Sequence, residues 1–362
     1  MIGLYIHIPF CEKKCGYCDF VSYPNRQERI GDYIDAVIRE AENYAGETAD
    51  SVFIGGGTPS FLPEGEMRRL VEGVARSIGI APGAEFTIEA NPNSLTPQKA
   101  REYAALGANR LSLGLQAVQP ELLERIGRIH TYADFLRALE AAQAAGFSNI
   151  SADIMYALPG QTLAQAEETA RTVAALPLSH ISAYALKLEK GTPMYGMKQP
   201  DEELDRAMFH GIRAILERAG FARYEISNFA KPGRECAHNI KYWTLKDYVG
   251  LGAAAHSCYQ GARFSNEDRL DSYIEGMTKR GTGRITYVKR SEYDRIFEKI
   301  MLETRLTRGM ELAGLPQGRK FMECVSRMEL GGLLTRQEGR IVLTNRGLDL
   351  QDGVVLELVS SI

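Results

Sequence analysis

Cys11, Cys15 and Cys18 are the residues most able to do chemistry, and all three lie in the stretch Cys11-Glu12-Lys13-Lys14-Cys15-Gly16-Tyr17-Cys18. They follow the apolar run Leu4-Tyr5-Ile6-His7-Ile8, which is long enough for a strand and is ended by Pro9. The cysteines are therefore expected in a loop that can wrap around something. Thiolates from one short loop suit a soft metal centre, and cysteine is the usual ligand of iron–sulfur clusters. Three ligands on a four-iron cube leave one iron open to chemistry. Two plainer readings remain. The cysteines could be small buried hydrophobes, or half of a zinc site, although zinc loops usually add a second pair and the next cysteine is Cys236.

Other unusual residues fall into register with that loop once the elements are placed. Apolar strands are expected at Leu4–Ile8, Val52–Ile54, Phe86–Ile88, Leu111–Leu113, Ile150–Ile154 and Ile181–Ala185, alternating with helices. Thr96-Pro97 opens a helix that Gly107 closes, and Thr131 opens another that Gly146 closes. Alternation of this kind implies a parallel sheet. Six such units with no dinucleotide fingerprint after the first strand favour an α/β fold, a partial (β/α)6 barrel, over a doubly wound sheet. The cysteine loop, Gly55-Gly56-Gly57-Thr58-Pro59, Glu89, Gln116 and Asp153 then all stand at carboxyl ends of strands. Barrels of this class place their chemistry on that face.

The rest of the chain is less regular. His238-Asn239-Ile240-Lys241-Tyr242-Trp243 contains the sole tryptophan. Cys236-x-His238 and His256-x-Cys258 could suggest zinc, but their spacing is tighter than common knuckles. Gly250-Leu-Gly-Ala-Ala-Ala only loosely matches a dinucleotide fingerprint and lacks the preceding strand and βαβ context. Gly261–Gly283 is polar and glycine-bearing and reads as a linker. Amphipathic helices over Ser291–Arg305 and Gly318–Leu330, then a hairpin around Gln337–Arg340, suggest a small winged-helix-like domain. The expected division is a barrel over 1–228, a connecting segment over 229–284 and the C-terminal domain over 285–362. A net charge of −3 and the lack of a basic stripe argue against nucleic acid as a partner. No apolar run approaches a transmembrane span. Met1 is followed within three residues by the first strand, with no signal-peptide pattern, and the cysteines form no disulfide framework. A cytoplasmic protein is expected.

With Tyr17 before the last cysteine, the loop resembles the signature of the radical S-adenosylmethionine (SAM) superfamily. Tyr5–Cys11, Gly55–Pro59, Glu89, Arg110–Gln116, Arg128 and Asp153–Gly160 together resemble the oxygen-independent coproporphyrinogen III oxidase-like family. The resemblance implies a 4Fe-4S cluster on Cys11, Cys15 and Cys18. It also implies SAM lined by Tyr5, Tyr17, Gly56, Gly57, Thr58, Glu89, Gln116, Arg128, Asp153 and Met155. In that reading Arg128 meets the SAM carboxylate, Gln116 and Asp153 the ribose, and Glu89 the amino group. Two departures separate the chain from the decarboxylating oxidases: Asp19-Phe20 replaces a fourth cysteine, and the chain starts at the first strand where the oxidases carry an extension. Both fit the haem-chaperone branch, which carries the hexapeptide His238–Trp243. This branch implies haem as cargo, with His238 as a candidate iron ligand and Tyr242 and Trp243 packing on the porphyrin. The same aromatics could instead bury a seam between domains. The implied partners are a haem-accepting protein and, if SAM is cleaved, an electron donor. The alternative function is a coproporphyrinogen III dehydrogenase.

Overall fold

The computed structural model describes residues 1–362. One sheet of twelve strands organises it. Its centre is formed by β1 (Ile2–Ile8), β2 (Thr48–Gly56), β3 (Gly79–Ala90), β4 (Arg110–Gln116), β5 (Asn149–Tyr156) and β6 (His180–Ala185), parallel and adjacent in chain order. These are the six expected strands, each extended beyond the apolar kernel visible in the sequence. Every residue of β1 except Tyr5 is buried, as expected for a parallel strand covered on both faces.

Helices return the chain between strands, and their ends show why they start and stop where they do. Thr96 accepts from the Lys99 amide at 3.2 Å, with Pro97 in the first turn. Thr131 and Asp134 form a reciprocal capping box. Gly107 and Gly146 close these helices at positive φ (92° and 95°), where a side chain would be strained.

The sheet continues past both edges of the barrel. On one side β6 pairs antiparallel with β8 (Asn228–Ala230), which pairs with β7 (Ala222–Arg223). On the other, β1 pairs parallel with β9 (Tyr248–Leu251), followed by antiparallel β10 (His256–Tyr259), β11 (Ala262–Asn266) and β12 (Arg284–Lys289). The expected connecting segment over 229–284, with its linker at Gly261–Gly283, is therefore corrected. It holds strands of the main sheet and a helix, Leu270–Arg280, whose Leu270, Tyr273, Ile274 and Met277 are buried. Glu40 locks that helix to helix Ile30–Ala41: its carboxylate accepts from Tyr273 Oη (2.6 Å), Asn266 Nδ2 (2.7 Å) and the Gly252 amide (2.8 Å). The polar composition concealed the i, i+3, i+4 spacing that marks the helix.

The C-terminal domain has a separate core built on Ile300, Phe321, Val325, Ile341 and Leu358. Helices Glu292–Glu303 and Arg319–Leu330 precede the expected hairpin, Leu334–Gln337 with Arg340–Leu343. Its turn carries Glu338 and Gly339, both at positive φ, as a two-residue hairpin turn requires. Met310–Glu311 adds a third strand, and helices Asn345–Asp349 and Gln351–Ser360 complete the winged-helix-like unit. No helix is long and apolar enough to cross a membrane.

Candidate cluster and SAM site

The cysteine loop leaves the carboxyl end of β1 and is pinned from three sides. The Gly57 amide donates to Ile8 O (2.8 Å) and the Thr58 amide to Phe10 O (2.9 Å). The Gly16 amide donates to Ile126 O (3.1 Å), and Gly16 O accepts from the Met194 amide (3.0 Å). The Thr58 hydroxyl donates to Cys11 Sγ (3.4 Å), and Arg128 Nη1 to Cys15 Sγ (3.5 Å). Gly57 permits this closeness: a Cβ there would lie 2.9 Å from Ile8 O and Phe10 O and 3.0 Å from Cys11 Sγ. Burial raises the Cys11 thiol and pushes Cys18 up to about 11, so in the metal-free chain these thiols keep their protons. Metal binding would displace those protons. No three His, Cys, Asp or Glu side chains converge tightly enough for a single ion. A cluster is a larger body than an ion, and three cysteines spread along one loop suit it.

The loop forms one wall of a cavity of about 520 Å³. The cavity also reaches Gly56, Gly57, Thr58, Glu89, Gln116, Arg128, Asp153, Met155 and Tyr17. Of the residues the sequence singled out for SAM, only Tyr5 is absent from the wall. It stands behind it, with its hydroxyl 2.8 Å from His7 Nδ1, while His7 Nε2 donates to Val21 O in the loop (2.8 Å). Tyr5 thus supports the loop through His7.

Two carboxyls and two guanidiniums give the cavity its electrostatics. Glu89 accepts from the Gly56 amide (3.1 Å), and burial, then the nearby Asp153 charge, pushes its carboxyl up to about 8. Burial also raises Asp153, against the pull of a hydrogen bond from Ser182, of Arg110 and of the Ser112 hydroxyl (3.1 Å). Arg128 Nη2 donates to Gly114 O (2.7 Å) and Asn91 Oδ1 (2.9 Å), but its Nε is buried without a partner. Arg110, deep in the wall, likewise leaves Nε unpartnered. Such orphaned donors are costly, and an anionic or hydroxyl-bearing ligand would relieve them. Gln116 takes a left-handed backbone (φ 70°), turning the chain at the end of β4. An amino-acid nucleoside offers a carboxylate, an amine and hydroxyls, so the residues present fit SAM.

Sequence reasoning missed Asn91, Ser112, Ser182 and Asn239, all on the cavity wall. The available signal was parity: Ser112 and Ser182 pair in register with Glu89 and Asp153 on neighbouring strands. Small polar residues inside strands rarely attract notice, yet across a parallel register they project to one face.

The hexapeptide lies elsewhere than expected. Residues Ala237–Trp243 form a helix whose first turn is capped by Glu85, which accepts from the Ala237 and His238 amides (2.9 Å each). His238 is fully buried, with Nδ1 3.0 Å from Ser51 Oγ and Nε2 2.7 Å from Tyr242 Oη. Burial, then the charges of Lys241 and Arg110, hold its imidazole down to about 3. Both nitrogens are engaged, so in this arrangement His238 is a neutral core residue that presents no free nitrogen for the iron-ligand role expected of it. Tyr242 packs edge-on against Tyr248 with ring centroids 4.5 Å apart. Trp243 lies under Arg305 of the C-terminal domain (4.4 Å to the ring), and Arg305 bonds the buried Glu225 (3.0 Å). Trp243 therefore sits at the seam between barrel and C-terminal domain, whereas Tyr242 packs among barrel side chains, against His238 and Tyr248. Cys236 and Cys258 are buried, His256 is exposed, and they do not gather around one ion.

Residues 5–173 match the radical SAM superfamily. The chain is 35% identical to the heme chaperone HemW of Bacillus subtilis over 96% of both chains. It is 33% identical to that of Lactococcus lactis over 97% of this chain and 95% of the relative. To that of Escherichia coli it is 38% identical over 70% and 69%. The solved coproporphyrinogen III oxidase (HemN) of Escherichia coli superposes with a TM-score of 0.86, covering 100% of this chain and 90% of that one. At 21% identity that likeness establishes a shared fold. On the strength of its full-length relatives, the chain belongs to the heme chaperone HemW family within the radical SAM superfamily.

Proposed function

We propose that the protein is a haem chaperone, holding a 4Fe-4S cluster on Cys11, Cys15 and Cys18 and SAM in the adjoining cavity, and passing haem to an acceptor protein. The observation that carries this reading is the full-length identity to bacterial heme chaperones. Asp19 supports it: an aspartate stands on the cavity wall where the resembling oxidases have a fourth cysteine. Within the cavity, Arg128 would hold the SAM carboxylate, Glu89 would accept from its amine, and Gln116 and Asp153 would hold the ribose. Gly56 and Gly57 let backbone approach the ligand, and Tyr17, Thr58 and Met155 close around it. The chemistry such a pair supplies is reductive cleavage of a sulfonium, for which an electron donor would be needed. Free thiols ready for a cluster suit a reducing cytoplasm. The cargo site is not assigned to His238, whose nitrogens are both engaged.

The competing reading is a coproporphyrinogen III dehydrogenase. Purified, anaerobically reconstituted protein given haem in one arm and coproporphyrinogen III, SAM and a reductant in the other separates the two. Binding of haem, its transfer to a haem-free acceptor and no protoporphyrinogen IX are expected. Formation of protoporphyrinogen IX would overturn the chaperone reading.

A further inference from the structure

Strand β12 ends the twelve-stranded sheet, and nothing pairs with its outer edge. All six of its residues are exposed, including Ile285 (55%), Tyr287 (60%) and Val288 (59%). Free edges are aggregation hazards that proteins normally blunt with charge, proline or a bulge. Here the cations Arg284 and Lys289 stand only at the two ends, and Ile285-Thr286-Tyr287-Val288 between them is unguarded.

The edge has a chemical polarity as well. From Gly276 to Ser291 the chain carries Lys279, Arg280, Arg284, Lys289 and Arg290 and no acidic residue, in a protein of net charge −3. Lys279 pairs with Glu275 and Arg290 with Glu298 (3.0 Å). Arg284 lies 4.0 Å over the Phe264 ring and has no carboxylate partner, and neither Arg280 nor Lys289 forms an ion pair. The backbone is also aimed outward at known positions. The Arg290 amide donates inward to Gly261 O (3.0 Å), and Lys289 and Tyr287 register with Ala262 and Phe264. Bonding alternates along an antiparallel ladder, so the amides and carbonyls of Tyr287 and Lys289 face out.

We propose that β12 is a docking strand for an extended acidic segment of a partner protein, which adds to the sheet edge. Main-chain bonds to Tyr287 and Lys289 would supply affinity, and acidic side chains beside Arg280, Arg284 and Lys289 would supply selectivity. A second copy of this chain is a poor occupant, because antiparallel self-pairing about the outward Tyr287 would set Arg284 against Arg290. Nucleic acid would meet the cations but leave the outward amides and carbonyls and the apolar Ile285 and Val288 without counterparts. The inference is independent of the haem reading, since a docking edge would serve either function of the barrel.

The test uses the full chain and a fluorescent, end-blocked peptide of alternating Glu and Val, with fluorescence anisotropy at low salt. Binding that weakens with added salt is expected, as is slowed amide exchange at Tyr287 and Lys289. The double variant Arg284→Glu/Lys289→Glu should bind at least tenfold more weakly, with its secondary structure intact by circular dichroism. A probe of the same sequence, N-methylated at alternate amides, should lose binding by a similar factor. Absent binding, or binding indifferent to both charge reversal and N-methylation, would overturn the proposal. So would tighter binding of a DNA oligonucleotide than of the peptide, or a protein dimer in sedimentation that the double variant dissolves.

Discussion

Replacing His238 by alanine separates a packing role from a ligand role. The substitution removes a fully buried ring in contact with Phe53 and Tyr242 (centroids 5.4 and 4.9 Å). It also leaves the Ser51 and Tyr242 hydroxyls without their partner. Each lost hydrogen bond costs about 0.5–1.5 kcal/mol, and emptying a large buried side chain costs about 2–5 kcal/mol. The incomplete additivity of neighbouring terms puts the sum at roughly 3–5 kcal/mol. For a chain of 362 residues that lowers the unfolding temperature by roughly 4–7 °C. His238→Gln, which keeps an amide able to bond one of the hydroxyls, should cost less than half as much. The pH dependence is a second signature. With the folded imidazole held down to about 3, the unfolded chain takes up the proton first, so this residue drains stability as pH falls below its ordinary 6.5. His238→Gln should soften that acid loss. The assay is thermal unfolding across pH 4–8, paired with the Soret band of haem-loaded protein. If His238→Gln shifts the Soret band while the unfolding temperature holds, iron does reach this residue and the argument from burial is wrong.

Three further outcomes follow from the cavity. Gly57→Ala should fold but reconstitute far less iron and sulfide, since its Cβ would press within 3.0 Å of Cys11 Sγ; normal cluster content would refute the glycine argument. Asp153→Asn and Arg128→Met should each weaken SAM about tenfold by calorimetry, the worth of a hydrogen bond to a charged group, with cluster content intact. Glu89, held at about 8 against an ordinary 4.5, keeps its proton longer when folded, so it erodes stability as pH rises through that window. Glu89→Gln in the metal-free protein should flatten the decline of unfolding temperature between pH 5 and 8, and an unaltered profile would place the carboxyl in water.

What the sequence by itself determined was local. The cysteine spacing, Gly55–Gly57, and the apolar kernels of six strands lie within short windows, and caps such as Thr96 and Thr131 declare themselves within one helical turn. Because parallel strands alternate with helices, locating their carboxyl ends was enough to bring Cys11, Gly57, Glu89, Gln116 and Asp153 to one face. The tertiary structure decided what depends on partners distant in the chain. Residues 261–283 looked like a linker because their polar residues outnumber their apolar ones, yet Glu40, more than two hundred residues away, binds them into the barrel. Tyr5 stands behind the wall and bonds His7, while Ser112 and Ser182 reach the cavity through their register with Glu89 and Asp153. The hexapeptide shows the limit most clearly. A histidine near a tryptophan reads alike whether its ring faces a ligand or a core. The positions of Ser51, Glu85 and Tyr242 around His238 bury the ring and engage both its nitrogens, and no local pattern in the sequence encodes those positions.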